Sequence, residues 1–382
     1  MLNGPPAHRS VARLVLAPGA LWVICAFASA CGGAAGSLGR GGSDTAYVGV
    51  AVGLANPERY THLFDGVQLA FDSLNKHRPA GARPLALRRA PKEADSPVKI
   101  ASAFRDDPSI VAVIGHTESD ATIAAAPVYA DRAHEGKDPV PVVTSAGAVA
   151  VTRVSKGIFR TNVTIAEQGR VLARYASGLG LKRAGILYRN EPSGKDFVRS
   201  FTDEYTKYGG TVIENDPFTE DIWDYDAYAK RLVRNGVQVV TVVGNSPQSR
   251  ATIHALHAAG GSPMVLSTNG PSPTDTGDFK GLRHIVIFSP DQPVVPEGAV
   301  FTTAFKARYS IAPDHWAALG FDAAMMLGRA AQESGATRPA IAAWLATIGT
   351  TRKAHPGATG SIAFDEHHDP VNKQVLITEV TR

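Results

Sequence analysis

Residues 111–145 read VAVIGHTESDATIAAAPVYADRAHEGKDPVPVVTS. They open on an apolar run, VAVIG (111–115), turn through small polar residues and carry an alanine-rich segment near 119–131. A second apolar run, PVVTS (141–145), closes them. Short, near-continuous apolar runs either side of a helical segment are the pattern of parallel strands buried on both faces.

The same alternation extends in both directions. Upstream lie an apolar run at 47–54, a helical segment at 61–77 and a strand near 85–89. Leu63, Val67, Ala70, Phe71 and Leu74 stand at helical spacing in the 61–77 segment, and a further helix follows near 97–105. Downstream, a second series starts after Arg160-Thr161. Its strands are AGILYR (184–189), TVIEN (211–215), VQVVTVVG (237–244) and PMVLSTNG (263–270). Its helices fall near 166–178, 194–208, 225–235 and 247–259, with Phe197, Phe201, Tyr205 and Tyr208 in register in the second. A helical stretch (297–346) and two short strands near 362–364 and 375–380 complete the chain. The fold class is α/β: two doubly wound parallel-sheet lobes.

The first 30 residues read as a secretory signal peptide. Arg9 and Arg13 precede an apolar stretch, 14–30, that ends on small side chains. Pro18-Gly19 interrupts that stretch, which argues against a retained membrane span. Cys31 follows, then the Gly/Ala/Ser run GGAAGSLGRGGSDT (32–45). A cysteine between an export segment and a flexible tether predicts lipidation at Cys31 and a membrane anchor. Simple secretion is the alternative, because Ala28 and Ala30 also suit ordinary cleavage. The chain has two cysteines, Cys25 and Cys31, so a lipidated mature body has no disulfide and rests on core size alone.

The formal net charge is +4, of which Arg9 and Arg13 belong to the leader. No stripe of Lys and Arg interleaved with aromatics is present, so no nucleic-acid partner is expected. Asp365, His367, His368 and Asp369 look like a metal cluster on paper, but adjacent histidines in an extended segment point to opposite sides. His254 and His257 share a helix face without further ligands. Gly185 to Gly194-Lys195 has the wrong spacing for a phosphate-binding loop. Neither a Gly-x-Ser-x-Gly elbow nor a Cys–His pair is present. We therefore expect no metal, no cofactor and no enzymatic activity.

Seven segments in series resemble the type I periplasmic binding proteins, in particular the branched-chain amino acid (Leu/Ile/Val) binding group that serves ABC importers. They are FDGVQLAFDSLN (64–75), VIGHTES (113–119), PVVTSAGA (141–148), IFRTNVTIAEQG (158–169), AGILYRNEPSGKDF (184–197), ALGFDAAMML (318–327) and GATGSIAFDEHHDPVNK (357–373). The resemblance implies three crossovers between the lobes, near 161–164, 289–292 and 357–360. Lobe 1 is then 46–162 plus 291–357, and lobe 2 is 163–290 plus 358–382. It further implies a lipid-anchored, monomeric solute-binding protein on the outer face of the cytoplasmic membrane. Such a protein captures a small polar ligand (an amino acid, amide or related compound) and delivers it to an ABC permease. A ligand-sensing lipoprotein uncoupled from transport is the alternative.

In open parallel sheets the ligand lies beyond the carboxyl ends of the strands. Ser119, at the start of a helix, is placed to cap it and to present amides to a carboxylate. The resemblance adds Thr144, Ser145 and Ala146 in lobe 1. In lobe 2 the chain departs from the family's amino-acid pattern, with Ser193 where an aromatic is usual and Asn269 where an acid is usual. Asn245 replaces a tyrosine. These departures remove the usual ammonium partner, and Glu58, Glu118 and Asp291 are the replacements on offer. Tyr60, Trp223 and Tyr225 are rim aromatics, with Tyr225 also suited to core packing. The Phe321-Asp322 pair is expected to be structural.

Overall fold

Every residue of β3 (Ile110–Ile114) and of β8 (Val239–Val243) is buried, which requires a layer of helices on each side of both strands. The computed structural model describes residues 45–132, 136, 138–219, 225–271, 280–293 and 295–380. The leader, Cys31, the tether up to residue 44 and Trp223 lie outside the described residues.

β3 is the centre of a parallel sheet with β1 (Ala46–Val50), β2 (Leu85–Arg89), β4 (Val142–Thr144) and β5 (Ile158–Arg160), in the order β2-β1-β3-β4-β5. β8 is central to a second sheet. There β6 (Arg183–Arg189), β7 (Thr211–Phe218), β9 (Met264–Ser267) and β10 (Leu282–Val286) run parallel in the order β7-β6-β8-β9-β10. The two sheets thus repeat one winding. In each, the order reverses beside the first strand, and that reversal opens a crevice at the strands' carboxyl ends.

Helices cover all four faces. On the first sheet, α1 (Thr61–Lys76) lies on one side and α2 (Pro97–Asp106) and α3 (Ser119–Ala130) on the other. On the second, α4 (Ile165–Gly178) and α5 (Pro192–Lys207) oppose α6 (Asp226–Arg234) and α7 (Ser246–Ala258). α1 buries Leu63, Val67, Ala70, Phe71 and Leu74, the stripe read from its spacing. In α5 the stripe ends at Tyr205, because Tyr208 caps the helix and is exposed.

Later in the chain come α8 (Pro296–Tyr309), α9 (His315–Ser334) and α10 (Arg338–Leu345). α9 packs tightly on α1. A Cβ at Gly66 would stand 2.0 Å from the Ala317 carbonyl oxygen, so only glycine permits that approach. α8 sits at the junction of the lobes. Phe301 packs on Phe288, just past β10, and on Phe321 of α9, while the Tyr309 hydroxyl donates to the Asp65 carbonyl of α1.

The first passage between lobes is 161–164, between β5 and α4. The third falls later than the sequence analysis places it. After the hairpin β11 (His355–Gly357) and β12 (Gly360–Ile362), the chain stays against the first lobe. Ile362 and Phe364 enter its core, and His368 stacks on Phe159 with ring centroids 4.1 Å apart. Arg160, fully buried, donates to Asp369 at 2.8 Å and fastens this segment to β5. Only β13 (Leu376–Glu379) joins the second sheet, antiparallel to β10. A buried ion pair between residues 209 apart in sequence therefore holds 362–369 on the first lobe. Asp322 is structural as expected: buried, it accepts from the Ala358 and Thr359 amides and from the Thr359 hydroxyl. Lys373 Nζ donates to that hydroxyl and to the Thr161 carbonyl, each at 2.6 Å, which ties the first and third passages together.

Candidate functional site

The carboxyl ends of both sheets face one cavity of about 130 Å³. Each wall follows from the strand winding. After β1 come Arg59 and Tyr60, after β3 Thr117 to Ser119, after β4 Ser145 and Gly147, and after β5 Asn162. From the second sheet come Arg189, Glu191 and Ser193 after β6, Asn245 after β8, and Asn269 and Gly270 after β9. A cavity of about 150 Å³ accommodates benzene, so the space suits one compact solute.

Ser145 presents the most telling polar group. Its residue is 8% exposed and its hydroxyl has no hydrogen-bond partner among the described residues. An unpaired buried hydroxyl costs about 1–3 kcal/mol, so it marks a place where a partner arrives. Ser119 opens α3, and its hydroxyl accepts from the Ala148 amide at 3.0 Å, which leaves its proton to donate. The Ser193 hydroxyl donates to Glu191 Oε1 at 2.6 Å. The Asn245 amide is committed to Gln248 Oε1 at 2.9 Å.

Asn162 and Asn269 join the walls. Asn162 Nδ2 donates to the Ser145 carbonyl at 3.0 Å, and its Oδ1 accepts from Asn269 Nδ2 at 3.1 Å. The Asn269 amide donates to Gln168 Oε1 of α4. Hydrogen bonds thus run from the loop after β4, through the first passage, to the loop after β9.

Tyr60 stands edge-on to Trp316 of α9, with centroids 4.7 Å apart. Burial, then the neighbouring Glu118 carboxylate, push the Tyr60 hydroxyl up to about 12. It is therefore a donor at neutral pH, and it reaches Glu118 Oε1 at 3.3 Å. Burial also raises the Glu118 carboxyl, against the opposing pull of Arg189.

Of the residues picked from sequence, Tyr60, Ser119, Ser145, Ser193, Asn245 and Asn269 line the cavity. Thr144 and Ala146 do not. Thr144 is buried and its hydroxyl is turned inward, donating to the His116 carbonyl at 2.7 Å and accepting from the Ala146 amide at 3.0 Å. The Ala146 carbonyl accepts from Arg160. Both residues support the loop that carries Ser145. Tyr225 is buried on Phe218. Glu58 and Asp291 are exposed and outside the lining, whereas Glu118 is in it. Arg59, Asn162, Gln168, Arg189 and Trp316 line the cavity without having been singled out. Arg189 follows the strand-end rule, but nothing in the local sequence signals Trp316.

A family model described as periplasmic binding protein matches residues 61–382. The chain belongs to that family. A Leu/Ile/Val-binding protein of Citrobacter freundii is 26% identical over 227 residues, covering 57% of this chain and 58% of that one. An amino acid binding protein of Pseudomonas aeruginosa is 24% identical over 350 residues, covering 86% of this chain and 89% of that one. Two solved structures share the periplasmic binding protein fold. One is an ABC transporter substrate-binding protein from Desulfitobacterium hafniense in complex with Leu, with a TM-score of 0.72, 23% identity, and 88% of this chain and 97% of that chain covered. The other is an R. palustris solute-binding protein in complex with 4-hydroxybenzoate, with a TM-score of 0.74, 18% identity and coverage of 88% and 93%.

Proposed function

We propose that this chain is an extracytoplasmic, lipid-anchored solute-binding protein. It captures a small polar ligand (an amino acid, amide or related compound) between its lobes and delivers it to an ABC permease. It acts as a monomer and performs no chemistry. Contacts made only when both lobes touch the solute favour the closed form. Cys31 holds the protein at the outer face of the cytoplasmic membrane. The observation that carries the reading is the unpaired, buried Ser145 hydroxyl in a cavity walled by the strand ends of both sheets.

A thermal-shift screen of amino acids, amides, short peptides, ureas and small carboxylates, followed by calorimetric titration of the hits, tests it. We expect one chemical group of hits to raise the melting temperature and to lose affinity in Ser145→Ala. A screen with no stabilising solute defeats the reading. Fatty-acid labelling that survives Cys31→Ser would remove the anchor from it.

A further inference from the structure

A second cavity, of about 530 Å³, shares no lining residue with the cleft. The start of α4 divides the two. Ile165 and Gln168 line the cleft, whereas Ala166, Glu167 and Arg170 line the second cavity. Both lobes wall it: Arg153 after β4 and Asp369, fastened to β5, face α4 of the second lobe. The passages between lobes supply Thr164 and Lys373. Cavities of about 300–1,000 Å³ are the size that holds small organic ligands.

The charges around it are unequally committed. Glu167 has both carboxylate oxygens taken, by Arg170 Nε at 2.7 Å and by Arg174 at 2.9 Å. Asp369 Oδ1 accepts from Arg160 and from the Thr152 hydroxyl, and Asp365 Oδ1 accepts from the amides of His367 and Asp369. The cations keep donors to spare. Among the described residues, neither Nη of Arg170 has a hydrogen-bond partner. Arg153 gives one bond, from Nη1 to the Val149 carbonyl, and stands 3.7 Å from Asp369 Oδ2. Lys373 Nζ spends two of its three protons on Thr161 and Thr359. Burial lowers it to about 8, against the pull of Asp322, and it stays charged at neutral pH. A guanidinium fork matches the paired oxygens of a carboxylate or phosphate. Here one open fork stands on each lobe, with an ammonium at the passage between them.

We propose that this cavity is a second binding site, for a small organic dianion (a dicarboxylate or a phosphate ester) that bridges Arg153 of the first lobe and Arg170 of the second. A ligand that touches both lobes outside the cleft favours one setting of the lobes, and so changes the affinity of the cleft for its own solute. The coupling rests on the solute-binding reading above. The site itself does not.

Calorimetric titration of the purified protein with succinate and with glycerol 3-phosphate tests it, with acetate and chloride at matched ionic strength as controls. We expect at least one dianion to bind, and the tighter of the two names the source. Its affinity should fall by roughly 10- to 100-fold in Arg153→Gln and in Arg170→Gln, and stay unchanged in Ser145→Ala, which alters the cleft alone. The two arginine side chains are 42% and 40% exposed, so both variants should fold, and ligand-free melting curves check that they do. No binding beyond that of acetate and chloride, or binding that survives both arginine variants, overturns the site. Binding lost in Ser145→Ala and kept in the arginine variants puts the dianion in the cleft and overturns it equally. With a cleft solute in hand, saturating dianion should shift that solute's Kd by about fivefold or more. An unchanged Kd overturns the coupling and leaves the site standing. A screen that yields no cleft solute defeats the solute-binding reading and the coupling, while the dianion titration still decides the site.

Discussion

Arg59 Nη2 donates to the carbonyl oxygen of Gly270 at 2.7 Å, from the loop after β1 to the loop after β9. The bond joins a loop of the first lobe to a loop of the second across the cleft. A hydrogen bond to a charged group contributes about 1.5–3 kcal/mol, enough to shift an open–closed equilibrium by about tenfold or more. Arg59→Met should therefore enlarge the radius of gyration of the ligand-free protein in small-angle scattering and weaken solute affinity by about tenfold. An unchanged scattering profile would show that the bond does not hold the lobes.

Thr144 and Ser145 are adjacent hydroxyls with opposite commitments. Thr144→Val strands the Ala146 amide and leaves the His116 carbonyl with the Thr122 hydroxyl alone, and should cost about 1–3 kcal/mol in denaturant unfolding. Ser145→Ala removes a hydroxyl that has no partner, and should leave stability unchanged or slightly raised while lowering affinity. Equal loss of stability in the two variants would contradict this division of roles.

The Arg160 guanidinium is buried, donates to Asp369, and reaches the Ala146 and Ala148 carbonyls at 2.7 and 2.8 Å. Removing one partner of a buried pair costs about 3–5 kcal/mol. Asp369→Ala should destabilise the protein by roughly that amount and loosen the 145–148 loop. Faster amide exchange at 145–148, together with the lowered unfolding midpoint, is the measurement.

Burial lowers His116 to about 4, and burial with His315 nearby lowers His284 to about 4. Unfolded, both take up a proton near pH 6.5, so between about 6.5 and 4 the unfolded chain binds more protons than the folded one. Stability from these groups is complete above about pH 6.5 and is lost as pH falls toward 4, by at most about 3 kcal/mol each. His116→Gln should flatten that slope relative to the parent in urea unfolding at stepped pH. Parallel slopes would refute the assignment.

The strands were legible because a run such as IVAVI or VVTVV, buried at every residue, satisfies no other environment. Helix limits followed from punctuation. Thr164 caps α4 by accepting from the Glu167 amide, and prolines open α2, α5 and α8. The strand-end rule located the cleft. It did not separate Thr144 from Ser145, because neighbouring residues of an extended segment point to opposite sides and the choice depends on what lies there. The return of the chain to the second lobe was illegible for a related reason. Arg160 and Asp369 each look like an ordinary surface charge until the fold brings them together. Trp316 enters the cleft from the start of α9, far along the chain from the loops it faces.

Asn162 stands in the first passage and bonds to a loop of each lobe. Atoms near the axis of a rotation are displaced least. A solute that settles first on Ser145 and Asn162 would meet the same surface whether the jaws are apart or together. The order of events is then built in: docking on a stationary seat comes first, and the groups farthest from the pivot arrive last.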